Sequence, residues 1–186
     1  MQYVFGYAPV NLEDCCIILD NKRKPITKSA RTDGKYPYYG ANGIQDYVAD
    51  YLFDGEYVLV GEDGSVVTPD GHPVVTWADG KIWVNNHAHV IKGNERASTR
   101  FLYYYLQTVN VAGMIHGNIP KLNQGDFRSI RILLPNVKRQ AELVSLLDRF
   151  DEICNDLSSG LPAEIEARQK QYEYYRDKLL SFNEIQ

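Results

Sequence analysis

No apolar run in this chain approaches the ~18 residues that a membrane-spanning helix needs, so the sequence offers no candidate membrane segment. Its N-terminus, MQYVFGYAPV, lacks a basic region leading into an apolar stretch, and no secretory signal is expected. Cysteine is scarce. Cys15, Cys16 and Cys154 are odd in number and poorly spaced for zinc, which argues against a disulfide framework and for reduced thiols in the cytoplasm. Neither a GxxxxGK(S/T) loop nor a GxGxxG turn is present, so no phosphate-cradling nucleotide site is supported. The sequence also lacks the Asp/Asn-Pro-Pro-Tyr/Phe tetrapeptide of amino-methyltransferases and the GxSxG nucleophile elbow. These absences favour a binding protein over an enzyme, with no cofactor.

Charge of one sign is missing too. The net charge is −4, and residues 1–137 carry thirteen Lys and Arg against fourteen Asp and Glu. A near-neutral domain can bind phosphates only through a local patch. One stretch supplies it. Between positions 22 and 35, Lys22, Arg23, Lys24, Lys28, Arg31 and Lys35 stand with a single acid, Asp33. Pro25, Ser29 and Gly34 and the lack of any period make this a loop. Tyr36, Tyr38 and Tyr39 follow at once. Cations neutralise phosphates, and adjacent rings stack on bases or fix a base-reading loop; the plainer alternative is a solvated charged loop with tyrosines packed at its root.

What is abundant is patterned. Residues 12–19 (LEDCCIIL) read as a buried strand. From Tyr47 to Ile91, short apolar runs alternate with Asp-Gly at 54–55, 63–64, 70–71 and 79–80, the signature of hairpin turns in a meander or small barrel. A helix capped by Ser98 presents Phe101, Leu102, Tyr105, Leu106 and Val109 on one face. MIHGNIPKLNQGDF reads as a loop, and 130–134 as a strand ending at Pro135.

Beyond Asn136, a plausible helix cap, the chain turns helical to its end. Leu143, Leu147, Phe150, Cys154 and Leu157 form a broad stripe suited to a large surface. After Pro162 the spacing narrows to a seven-residue repeat, with Ile165, Tyr172 and Leu179 in one row and Tyr175 and Phe182 in the next. That seam suits one partner helix; folding back onto its own domain is the alternative. Gly160 and Pro162 predict a break over 158–162. The pattern gives an α+β domain, 1–135, and a helical arm, 136–186.

Two constellations hint at catalysis or metal. His87 and His89 lie at i, i+2 and would share a strand face, but nothing fixes a third ligand, and histidines so placed more often hydrogen-bond in a β core. Asp70, Asp79 and Lys81 loosely match the pattern of metal-dependent nucleases, in which two acids hold the ion and the lysine steadies water. Both acids fall in Asp-Gly pairs that turns explain without chemistry. No metal site is assigned.

The basic loop running into YPYYGANGIQDY, then YVLVGEDGSV, NNHAHVI, GNIPKLNQGDF and RILLPNVKRQAELVSLLDRFD, with LPAEIEARQKQYEYYRDKLLSF, closely resembles the specificity subunits of type I restriction–modification systems. The match runs from about Leu12 to Phe182; Pro135 to Gln140 and the arm after Pro162 are its most specific parts. The resemblance implies a non-catalytic subunit that binds double-stranded DNA and directs a DNA adenine methyltransferase (modification) subunit and a restriction subunit to a bipartite target. Family members usually carry two recognition domains, each followed by a helical region; this sequence has one of each and resembles a half subunit. Two copies would then pair through the seam of Ile165, Tyr172, Tyr175, Leu179 and Phe182 with two-fold symmetry. The expected DNA contacts are Lys22, Arg23, Lys24, Lys28, Arg31, Lys35, Tyr38 and Tyr39, with Lys121 and Arg128 as a second group. The rival readings are a nuclease at Asp70, Asp79 and Lys81, and a protein-interaction module without DNA contact.

Overall fold

The computed structural model describes residues 6–156 and 162–181. The architecture is α+β, with a six-stranded sheet at its centre in the order β2-β7-β5-β6-β3-β4. Its strands are β2 (Cys16–Ile18), β3 (Asp33–Gly40), β4 (Gly43–Val48), β5 (Phe53–Gly61), β6 (Val75–Val84) and β7 (Ala88–Gly93). β1 (Tyr7–Asn11) pairs antiparallel with β10 (Arg131–Pro135), and the two-residue strands β8 (Ile115–His116) and β9 (Lys121–Leu122) pair with each other. The sheet is mixed. β5 and β6 form a long antiparallel ladder, whereas β3 runs parallel to β6, with Tyr38 beside Trp83 and Tyr39 beside Val84.

Three readings of the sequence need correction. Residues 12–19 are not one strand: Leu12–Cys15 is a single helical turn, α1, and only Cys16–Ile18 is extended. Asp14 accepts a hydrogen bond from the Asn11 amide at 3.2 Å, which starts the turn. Secondly, Asp54-Gly55 and Asp79-Gly80 are not turns. They lie within β5 and β6, where Gly55 faces Gly80 across the ladder, both at positive φ. Their local signal is satisfied inside a long-range pairing, and the sheet is not a simple meander. Thirdly, the supposed loop over 114–127 holds β8, β9 and the start of α3 (Gln124–Ser129), whose cap Asn123 accepts from the Asp126 amide at 3.0 Å.

Helix α2 (Thr99–Leu106) forms as its cap predicts: the Ser98 hydroxyl accepts from the Phe101 amide at 3.1 Å. Phe101, Leu102, Tyr105 and Leu106 are buried in the main core, which also takes in Leu12, Val58, Ile91, Phe127 and Ile132. That core continues into the arm. Helix α4 (Val137–Asp156) contributes Leu143 and Leu147, and helix α5 (Pro162–Leu180) contributes Leu180, with Tyr172 and Leu179 packed at the margin. α5 returns antiparallel along α4, with the Phe150 and Tyr175 rings stacked at 6.2 Å. Within this chain the arm therefore turns Tyr172 and Leu179 toward its own domain. The expected break over 158–162 falls largely outside the described residues, between the end of α4 and the start of α5.

The junction between domain and arm is fastened by Gln140. Its buried side chain accepts from the Ser98 amide at 3.0 Å and donates to the carbonyls of Arg96 and Pro135 at 2.8 and 2.9 Å. One amide thus ties the first turn of α4 to the cap of α2 and the end of β10, a physical account of the Pro135–Gln140 element. Arg100 makes the second tie. Its guanidinium pairs with Asp148 at 2.7 Å and lies 4.8–4.9 Å from the Trp77, Tyr103 and Tyr104 ring centroids.

Candidate nucleic-acid interface

Because strand side chains alternate, Tyr36 and Tyr38 of β3 share one sheet face with Lys81 and Trp83 of the neighbouring β6. Tyr39, Ile82 and Val84 point the other way, into a second buried cluster with Phe53, Tyr57 and Val90. Residues 22–31 lie over the first face. Ile26 packs beside Tyr38, Val48 and Trp83. The backbone is pinned down on both sides of it. The Lys24 amide donates to Val84 O at 3.1 Å, Trp83 Nε1 donates to Lys24 O at 2.6 Å, and the Tyr38 hydroxyl accepts from the Ile26 amide at 3.0 Å.

This strap decides the fate of each cation in the basic loop. Lys22, Lys24, Lys28 and Lys35 stay exposed. The Arg31 guanidinium lies over the Tyr38 ring, 4.1 Å from its centroid, and pairs with Asp46 at 2.9 Å. Its hydrogen bond holds the Asp46 carboxyl below its ordinary value. Tyr38 and Tyr39 are both buried, Tyr38 beneath the strap and Tyr39 on the opposite face of the sheet, so neither ring reaches out of the surface.

Arg23 turns inward. It meets Glu62 at 2.5 Å and Ala88 O at 2.7 Å, with Nε on Asp20 O at 3.0 Å. Around it lies a buried ionic centre. Asp20 accepts from His89 Nδ1 at 2.7 Å, Gln124 Nε2 at 3.0 Å and the Val90 amide at 2.9 Å. His89 Nε2 meets Leu122 O at 2.9 Å, and its ring stacks on Phe127 at 4.2 Å. Both ring nitrogens thus face oxygen atoms, one a carboxylate and one a carbonyl. Burial pushes the Asp20 carboxyl up, but the hydrogen bond and charge of His89, the Val90 amide and Arg23 outweigh it and leave the group below its ordinary value. Lys121 closes the centre from outside, 3.3 Å from Glu62.

Asp20, Glu62 and His89 are the set among the described residues close enough to share an ion. Their positive partner is already in place: Arg23 contacts both carboxylates, and a divalent cation would have to displace it. His87 belongs to no such set and pairs with Asp63. The nuclease residues do not converge either. Asp70 lies in a turn closed by Gly71 N to Thr68 O at 3.0 Å, while Asp79 stands four residues into β6, about 13 Å along the strand, opposite Glu56. Lys81 faces Tyr51 instead. Of the second group of expected DNA contacts, Lys121 serves the ionic centre and Arg128 lies 3.8 Å from Glu13. Of the expected dimer residues, Tyr175 is 40% exposed; the side chains of Ile165 and Phe182 lie outside the described residues.

Sequence reasoning missed one cluster. Lys35 lies 5.3 Å from the Tyr36 ring, Tyr36 is 5.1 Å from Tyr51, and Lys81 is 4.6 Å from the Tyr51 ring. Tyr51 beside it, with Tyr36 and Asp54, raises the Lys81 ammonium above its ordinary value. The only clue in the sequence was the position of Lys81, two residues before Trp83; the parallel pairing of β3 with β6 was not legible.

Residues 6–167 match the family model of the type I restriction modification DNA specificity domain. A Haemophilus influenzae chain assigned to the type I restriction enzyme specificity subunits is 43% identical over 94% of this chain and 46% of its own length. The MpnII specificity subunit of Mycoplasma pneumoniae is 32% identical over 97% of this chain and 54% of its own. The chain spans about half the length of these two relatives. The crystal structure of the specificity subunit from M. genitalium superposes with a TM-score of 0.69 at 19% identity, covering 82% of this chain and 41% of that one, a likeness of fold.

Proposed function

The chain belongs to the type I restriction–modification DNA specificity family, and from that premise we propose that it binds double-stranded DNA sequence-specifically through the strapped face of β3 and β6. The observation that carries the reading is that strap. Its backbone is locked to the sheet, while the side chains of Lys22, Lys24 and Lys28, and of Lys35 at the start of β3, are exposed. Exposed ammonium groups carried on a fixed backbone neutralise phosphates, and base edges then supply the choice of sequence. Residues 1–135 recognise DNA. Residues 136–186 act as spacer and assembly element, held to the domain by Gln140 and Arg100.

The chain would be the non-catalytic partner of a modification subunit that methylates adenine and of a restriction subunit, in the cytoplasm. No helix among the described residues is long and apolar enough to cross a membrane. Pairing of two copies through the helices would give a bipartite target. Since Tyr172 and Leu179 pack at home, such pairing falls to the outward side of the hairpin, where Ile153, Tyr174 and Tyr175 are exposed. Tyr174→Glu with Tyr175→Glu should then leave a folded monomer by light scattering. A wild-type chain monomeric at every concentration contradicts the pairing.

The function is tested by producing the chain with its modification subunit in cells and mapping methylated adenines. The expected result is one motif of two specified parts around an unspecified spacer, absent without the chain. A methylation pattern indifferent to the chain would refute the proposal.

A further inference from the structure

Tyr51 is an unusual exposed aromatic. It sits in the short connection between β4 and β5, 36% exposed, yet it is held from several sides. Its amide donates to the Asp50 carboxylate at 2.8 Å, and the next amide, of Leu52, donates to Ile82 O at 2.9 Å. Tyr36 flanks its ring at 5.1 Å, and the Lys81 ammonium lies over it, 4.6 Å from the centroid. A tyrosine placed only to fill space would sink its ring into the core. This one is braced by other surface groups and stays partly exposed. The phenol carries a proton that it can give to an acceptor outside the chain.

The position is right for DNA. Lys81 and Tyr36 lie on the same sheet face as Tyr38 and Trp83, which the lysine-bearing strap covers, so Tyr51 adjoins the strapped face. Asp54 stands opposite Lys81 in the β5–β6 register and offsets its charge, which makes Lys81 a poorer phosphate contact than Lys22 or Lys24. Its role is to hold the phenol.

We infer that Tyr51 is a specificity-determining residue whose hydroxyl donates to a base-edge acceptor in the major groove of the bound duplex, with Lys81 as the residue that positions it. The inference rests on the DNA-binding reading above. Acceptors available there are guanine O6 and N7, adenine N7 and thymine O4, whereas cytosine presents a donor. The base read by Tyr51 is therefore one at which cytosine is rejected.

The probe is a library of duplexes with a randomised centre, selected on the chain together with its modification subunit and sequenced. Wild type should enrich a motif. Tyr51→Phe keeps the ring and the fold and removes only the donor. It should relax the choice at one base pair, or two adjacent pairs, by roughly fivefold or more, the scale of one mismatch. Lys81→Met should relax the same pairs, an effect that a merely structural lysine would not localise. The dependence of binding on salt should stay at the wild-type slope in both, since no phosphate contact is lost. A Tyr51→Phe motif identical to that of wild type overturns the assignment while leaving DNA binding intact. A wild-type protein that enriches no motif and shows no salt-sensitive binding overturns the DNA reading itself, and this inference with it.

Discussion

Arg23 and Lys24 are consecutive cations in one basic run, and the fold sends them to opposite environments. Arg23 enters a centre where the Asp20 and Glu62 carboxylates and three backbone carbonyls surround it. Lys24 fixes the strap through its backbone alone and leaves its ammonium in water. The difference follows from side-chain chemistry. A guanidinium offers five donors in a planar fork and can satisfy several oxygens at once, whereas an ammonium is compact and strongly hydrated and gains little from burial. Charge runs in a sequence are thus mixtures. The buried cation anchors the strap and the exposed ones use it.

The largest separation between the two regions should appear in stability. Arg23→Ala leaves Asp20 and Glu62 close together in a largely dry site without their shared partner. It should cost about 3–5 kcal/mol, the usual penalty for breaking a buried ion pair by removing one side. Lys24→Ala should stay within about 0.5 kcal/mol of wild type, as exposed substitutions generally do. Urea denaturation of both variants decides the matter; equal losses would erase the distinction.

A smaller effect is expected in acid. The Asp20 carboxyl titrates below its ordinary value in the folded chain. Its contribution is therefore fully present above the unfolded carboxylate range and is lost as pH falls through the folded value. Asp20→Asn should flatten the acid limb of the stability curve, and Asp46→Asn should flatten it less, since Asp46 shares the shift on an exposed site. An acid limb unchanged by Asp20→Asn would show that the buried centre is not coupled to folding.

The same contrast marks what the sequence could reveal. A run of cations with one acid, next to tyrosines and free of periodicity, was visible as a surface segment. The inward turn of Arg23 was not, because its partners Glu62 and Ala88 lie far along the chain and meet it only when β5 and β7 pair. The helix after Ser98 followed from local capping and period and formed as read. Asp-Gly at 79–80 misled for the opposite reason: a local turn signal was overridden by the ladder that sets Gly80 opposite Gly55. The arm was legible as helix, but not the side it would present. Its seven-residue row included Leu179 and Tyr172, which the domain itself covers. Gln140 stood in a recognisable element, yet its purpose needed Ser98 and Arg96 from across the junction.

The most direct measurement is the salt dependence of duplex binding by Lys22→Ala, Lys24→Ala and Lys28→Ala combined, with the modification subunit present. Stability should be unaltered, because all three side chains are exposed. If each contacts a phosphate, the slope of log K against log salt should flatten by about 0.9 for every contact removed. A triple variant that keeps the wild-type slope would contradict the account and move the DNA surface to another part of the domain.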